Sequence, residues 1–108
     1  ASALAYTFGY KTTGLPLTAF RGNNLKIVFS TSALADYREF EQKDPKVFKR
    51  INRLLKNIQE TPVDGIGKPE LLKHNWNGYW SRRITQEHRL VYKVVENKIL
   101  VAQCKFHY

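Results

Sequence analysis

The last ten residues, Ile99-Leu100-Val101-Ala102-Gln103-Cys104-Lys105-Phe106-His107-Tyr108, alternate in polarity like a β-strand. The alternation places Leu100, Ala102, Cys104 and Phe106 on one face and Gln103, Lys105 and His107 on the other. Such a strand has an apolar face to bury, which calls for a sheet with a second layer packed on it. Its polar face carries an imidazole beside a Lys, and histidine exchanges protons near neutral pH. Taken alone, His107 reads most simply as a surface residue near a chain end.

Upstream sequence supplies the rest of that sheet and its cover. Residues 79–84 and 89–95 are two more β-like runs, set off by Gln86-Glu87-His88 and Glu96-Asn97-Lys98. Residues 25–29 form a short strand with Ile27 and Phe29 on one face. Ser30, Thr31 and Ser32 offer N-caps for a helix through about Lys43, with Leu34, Tyr37 and Glu41 about a turn apart. Asp44-Pro45, a cap followed by proline at the first helical position, opens a second helix to about Thr61. Val47, Phe48, Ile51, Leu54, Leu55 and Ile58 keep helical spacing, and Lys46, Lys49, Arg50, Arg53 and Lys56 occupy much of the remaining surface. Pro62, Gly65, Gly67 and Pro69 mark a loop. The expected fold is α+β in the order β-α-α-β-β-β. Two helices cover one face of an antiparallel sheet whose first strand could pair differently, and the other face stays open.

Residues 1–24 read differently: rich in Ala, Thr and Gly, almost uncharged, and without either period. They have no basic start or uninterrupted apolar core, so they are not read as a signal peptide. They fit a loosely ordered extension, a cloning remnant or sequence upstream of the true start. The domain is expected to span residues 25–108, with translation able to begin at a leucine codon for Leu25.

Eighteen Lys and Arg against nine Asp and Glu leave this 108-residue chain at +9. That charge points to a polyanionic partner, with nucleic acid first, an acidic protein second and an anionic membrane third. No apolar run approaches bilayer length. Cys104 is the single cysteine and reads as a small buried hydrophobe, in keeping with a reducing cytoplasm. His74, His88 and His107 lack metal-ligand spacing, so neither metal nor other cofactor is expected.

Strand parity assigns Leu90, Tyr92, Val94, Trp80 and Ile84 to the core. Arg89, Val91, Lys93, Tyr79, Ser81 and Arg83 then join Gln103, Lys105 and His107 on the open face. Cations with a stacking ring suit single-stranded RNA, and a solvated sheet face in so basic a chain would look similar. In Lys68-Pro69-Glu70-Leu71-Leu72-Lys73-His74-Asn75, Glu70 and Lys73 could form a salt-bridged loop pair. Alternatively Glu70 could take a proton from a ribose 2′-hydroxyl while Lys73 holds phosphate.

The segment GIGKPELLKHNWNGYWSRRITQEHRLVYKV and the terminal CKFHY closely resemble the YoeB-type toxins of the RelE superfamily, over residues 25–108. The resemblance implies a RelE-like microbial RNase fold and a type II toxin–antitoxin toxin. It also implies ribosome-dependent, metal-independent cleavage of mRNA at the A site. By the same resemblance Glu70 falls on the general base, Arg89 on the transition-state arginine, His107 on the general acid and Tyr108 on the terminal tyrosine. Lys73 and Arg83 fall on supporting cations, and Lys93 and Lys105 on the same face join them as RNA-binding candidates. The implied partners are a YefM-like antitoxin, the ribosome with its mRNA, and a second copy of the chain. Operator DNA is reached only through the toxin–antitoxin complex. Parity turns Tyr108 toward the core side, although a terminal residue has freedom to swing round and orient the base or phosphate.

Two other readings stand beside this one. A catalytically silent relative would use the same face only to bind RNA or antitoxin. A DNA-binding regulator would satisfy the charge, but the basic helix also carries a full apolar stripe and no helix-turn-helix pattern is evident.

Overall fold

The computed structural model describes residues 10–12 and 25–108. Strand β1 is Tyr10–Thr12 and β2 is Lys26–Ser30, followed by helices α1 (Thr31–Lys43) and α2 (Pro45–Glu60). A two-residue strand β3 (Glu70–Leu71) and a 3₁₀ turn (His74–Trp76) lead into β4 (Trp80–Arg83), β5 (Arg89–Val95) and β6 (Lys98–Gln103). The sheet order is β1-β2-β6-β5-β4-β3. Every pairing is antiparallel except β2 with β6, which is parallel. The expected α+β architecture is therefore present, with β3 and β1 added at its two edges. Expectations about residues 1–24 lie, apart from Tyr10–Thr12, outside the described residues.

Both helix starts follow from local chemistry. Ser30 Oγ accepts the Ala33 amide and Asp44 Oδ1 accepts the Val47 amide, each satisfying a donor that the first turn leaves without an intrahelical partner. Val47, Ile51, Leu54, Leu55 and Ile58 of α2 are buried against Ile27, Phe29, Leu90, Tyr92, Ile99 and Val101 of the sheet. Each such side chain contributes roughly 1.5–3 kcal/mol by leaving water. In α1 the buried positions are Ala33, Tyr37 and Phe40, while Glu41, expected on the stripe, is exposed.

The last strand corrects the simple alternation. Ile99 and Val101 face the helices, whereas Leu100 and Ala102 lie on the opposite face with Val28 and Val95. Val91 pairs with Gln103 and Tyr92 with Val101, so Ala102 is an extra residue, a β-bulge. The bulge inverts the parity, which returns Cys104 to the helix-side core. Pairing then ends at Gln103, Phe106 is 54% exposed, and the tail leaves the strand altogether. The opposite face is less open than expected, because Val28, Leu100 and Val91 are all buried.

Candidate active site

Cross-strand register assembles the site. Glu70 on β3 pairs with Ser81 on β4, and Arg83 on β4 pairs with Arg89 on β5. Directly opposed residues share a face, as do residues two apart on one strand. Three adjacent strands thus bring a carboxylate, a hydroxyl and two guanidiniums together. With Lys68 and Pro69 they line a cleft of about 300 Å³.

Arg89 is held from behind. Its Nη1 donates to the carbonyls of Thr85 at 2.6 Å, His88 at 3.0 Å and Gln86 at 3.1 Å. Nε and Nη2 make no hydrogen bond among the described residues. The residue is buried yet borders the cleft, which leaves those donors for a ligand there. Arg83 stays exposed across from it. Two like charges in direct register repel, and an anion between them would reverse the sign of that interaction.

The tail completes the arrangement. Beyond Gln103 it runs on toward the start of β5, where the Arg89 amide donates to the Phe106 carbonyl at 3.0 Å. Tyr108 then reaches across β4 to β3. Its hydroxyl accepts from Ser81 Oγ at 3.4 Å and donates to Glu70 Oε1 at 3.1 Å. The core-side orientation expected for Tyr108 is thus replaced by a place on the cleft face, because the strand ends five residues earlier. Glu70 takes Tyr108 as its partner, and no Glu70–Lys73 salt bridge forms. His107 is exposed, with its ring 5.9 Å from that of Tyr108, and it lies outside the cleft lining.

The other candidate cations are scattered. Lys73 is exposed and its carbonyl starts the 3₁₀ turn, accepting the Trp76 amide at 3.2 Å. Lys93 Nζ sits 5.3 Å from the centre of the Tyr79 ring, a cation–π contact. Lys105 pairs with Glu39 of α1 at 3.3 Å, and the Lys105 ammonium, aided by Lys43, lowers the Glu39 carboxyl from its ordinary range. Burial pushes the Cys104 thiol up to about 12, so it is a protonated spacer beside the tail and no nucleophile at neutral pH. Among the described residues no group of three or more His, Cys, Asp or Glu side chains could hold a metal ion, and no helix is long and apolar enough to cross a membrane.

Sequence reasoning passed over Arg82. It is fully buried on the helix side, and its partners are all neutral. Nη1 donates to Asn57 Oδ1 and the Ile66 carbonyl, Nη2 to the carbonyls of Thr61 and Asp64, and Nε to Tyr92 Oη. Tyr92 in turn donates to the Pro62 carbonyl at 2.6 Å. This network ties down the loop that delivers Lys68, Pro69 and Glu70. Gly67, at φ +83, seals the loop against α2 and β4: a Cβ there would stand 2.7 Å from Leu54 Cδ2. The signal was available, since parity puts Arg82 on the face of Trp80 and Ile84.

Residues 29–108 match the model of the YoeB-like toxins of bacterial type II toxin–antitoxin systems. The chain belongs to this family. Toxin YoeB of Escherichia coli K12 is 48% identical over 84 residues, 78% of this chain and 100% of that toxin. Among solved structures, the heterotetrameric YoeB–YefM toxin–antitoxin complex from Staphylococcus aureus contains a chain 55% identical, with a TM-score of 0.73, covering 78% of this chain and 98% of its own. A YoeB dimer from the same organism is 55% identical at a TM-score of 0.74, with the same coverage. The YoeB-like fold is thus shared across nearly the whole length of these toxins.

Proposed function

We propose that this YoeB-like toxin is a metal-independent endoribonuclease that cuts messenger RNA at the ribosomal A site. The observation that carries the reading is the Arg83–Arg89 cross-strand pair beside a Glu70 held by Tyr108. Two opposed guanidiniums fit a phosphate, and a carboxylate on the same face fits the neighbouring ribose hydroxyl. Glu70 takes the 2′-hydroxyl proton as the 2′-oxygen bonds to phosphorus. Arg89, with Arg83 in support, neutralises charge developing on the phosphorane. The bond to the 5′-oxygen then breaks, and His107 protonates the departing oxygen. The products are a 2′,3′-cyclic phosphate end and a 5′-hydroxyl end. Lys73, Lys93 and Lys105 add cations for the flanking backbone, and the ribosomal setting comes from the family resemblance.

Single-turnover cleavage of message on ribosomes tests the roles. Glu70→Ala and His107→Ala should each slow cleavage roughly 10²–10⁴-fold. Arg89→Ala should cost about 10²–10³-fold, as for one oxyanion donor. Wild-type rates in both Glu70→Ala and His107→Ala would overturn the acid–base assignment, and no cleavage by the wild-type protein would leave a face that only binds.

The proposed inhibitor is a YefM-like antitoxin with an acidic segment that covers Arg83, Arg89 and His107, the relatives from Staphylococcus aureus having been solved as YoeB–YefM complexes. Association should slow as salt rises. A complex that still cut message at full rate would exclude this mode of inhibition. Self-association is proposed by the same route from the YoeB dimer.

A further inference from the structure

We propose that His88 is the positioning residue of the C-terminal tail. A neutral ring, protonated on Nε2, accepts the Phe106 amide through Nδ1 and so aims His107 and Tyr108 at the cleft. What the tail does rests on the cleavage reading above; how it is held does not.

The tail has left the sheet and needs a separate restraint. Phe106 sits at φ +64, a left-handed conformation that an aromatic residue seldom adopts unaided. The Phe106 amide donates to His88 Nδ1 at 2.9 Å, while the Phe106 carbonyl accepts the Arg89 amide at 3.0 Å. Gln103 Nε2 donates to the carbonyls of Lys105 at 2.9 Å and His107 at 3.0 Å, curling the same segment from its other side. The buried His88 ring lies between Phe40, at 5.2 Å between centroids, and Phe106, at 5.8 Å.

This geometry dictates the protonation state. A backbone N–H can only donate, so Nδ1 must offer its lone pair, and a neutral ring then carries its hydrogen on Nε2. Nε2 lies 3.6 Å from Glu87 Oε1. On the segments packed against the ring, the other charged residues are Arg89, next in the chain, Glu39 beside Phe40 on α1, and Lys105 beside Phe106. The last two pair with each other. A second proton, on Nδ1, would set two N–H groups head to head and expel the tail. His88 also accepts through its carbonyl from the Ile84 and Thr85 amides and from Arg89 Nη1. One residue thereby sets both the turn that anchors Arg89 and the tail that carries His107.

Two side chains separate the acceptor from the packing. His88→Phe keeps the ring between Phe40 and Phe106 but removes the acceptor. His88→Asn places Oδ1 near the position of Nδ1. In His88→Phe the Phe106 amide should lose its hydrogen-exchange protection, and single-turnover cleavage should fall about 10²-fold, as expected when a reacting group is displaced by about an ångström, with KM little changed. His88→Asn should restore protection and recover cleavage to within about tenfold of wild type. Equal Phe106 protection in His88→Phe and wild type, or cleavage by His88→Asn as slow as by His88→Phe, would overturn the proposal. In the wild-type protein, long-range ¹H–¹⁵N correlation should find the Nε2–H tautomer, and an Nδ1–H tautomer would overturn it even if the variants did not fold. If wild type cut no message, the cleavage reading would fail, while the Phe106 protection and tautomer measurements would still decide the clamp.

Discussion

The terminal hydroxyl of Tyr108 donates to Glu70 Oε1 at 3.1 Å, linking the last residue of the chain to a two-residue edge strand 38 positions earlier. Tyr108→Phe keeps the ring and removes this bond to a charged group, worth about 1.5–3 kcal/mol, together with the longer one accepted from Ser81 Oγ. Single-turnover cleavage should fall by roughly 10–10²-fold, less than for Glu70→Ala. A bulky group joined directly after Tyr108 should be at least as harmful, because Tyr108 itself touches Glu70 and Ser81. An unchanged rate in Tyr108→Phe would remove Tyr108 from the orientation of the base.

Arg82→Met should destabilise the protein by at least about 3 kcal/mol, read as a lower denaturant midpoint. The substitution removes a buried cation, but it leaves the Ile66 carbonyl and Tyr92 Oη without their donor and takes one donor each from the Thr61 and Asp64 carbonyls and Asn57 Oδ1. Arg82→Lys should recover little, since one ammonium cannot reproduce a planar fork serving five acceptors. Near-wild-type stability of Arg82→Met would mean that the loop is held by other contacts.

Alkaline conditions should unfold the protein through Cys104, Tyr37 and Tyr92. Burial raises all three, the thiol from 9.0 to about 12 and both phenols above 10.0. A raised native pKa means that the unfolded chain loses its proton first. The associated stability is complete below pH 9.0 and is lost as pH rises through the window toward about 12. The thiol alone should give a slope of about 1.4 kcal/mol per pH unit there, steepening once the phenols contribute. Denaturant melts of wild type and Cys104→Ala across this range should differ in slope above pH 9 and run parallel below it. Parallel curves throughout would mean that the thiol does not contribute.

A chain beginning at Leu25 is proposed to fold and cut message like the full sequence. Leu25 is buried, and its carbonyl accepts Gln59 Nε2 at 2.9 Å, so the core reaches this residue. The strand Tyr10–Thr12 pairs with β2, making the melting temperature a sensitive check. A drop of more than a few degrees on removing residues 1–24 would show that this segment contributes to the domain.

Local chemistry made most of the fold legible. The Ser30 and Asp44 caps, Pro45 at the helix start and the spacing Val47–Ile51–Leu54–Leu55–Ile58 act over one or two turns, so nearby residues suffice to specify them. The same holds for Leu90 and Tyr92, whose alternation matches an uninterrupted strand. The residue types of the candidate site were also visible, because Glu70, Arg83, Arg89, His107 and Tyr108 lie in the segments whose sequence resembles the YoeB-type toxins. Their mutual arrangement was not. It depends on the register that sets Glu70 against Ser81 and Arg83 against Arg89, and on a bulge at Ala102 that inverts the parity of the last strand. Neither has a one-dimensional signature, since register is chosen by whole faces packing together. Arg82 and His88 illustrate the limit most plainly. By sequence one is another cation in a basic chain and the other a turn histidine; only burial among distant carbonyls and the Phe106 amide makes them supports of the loop and of the tail.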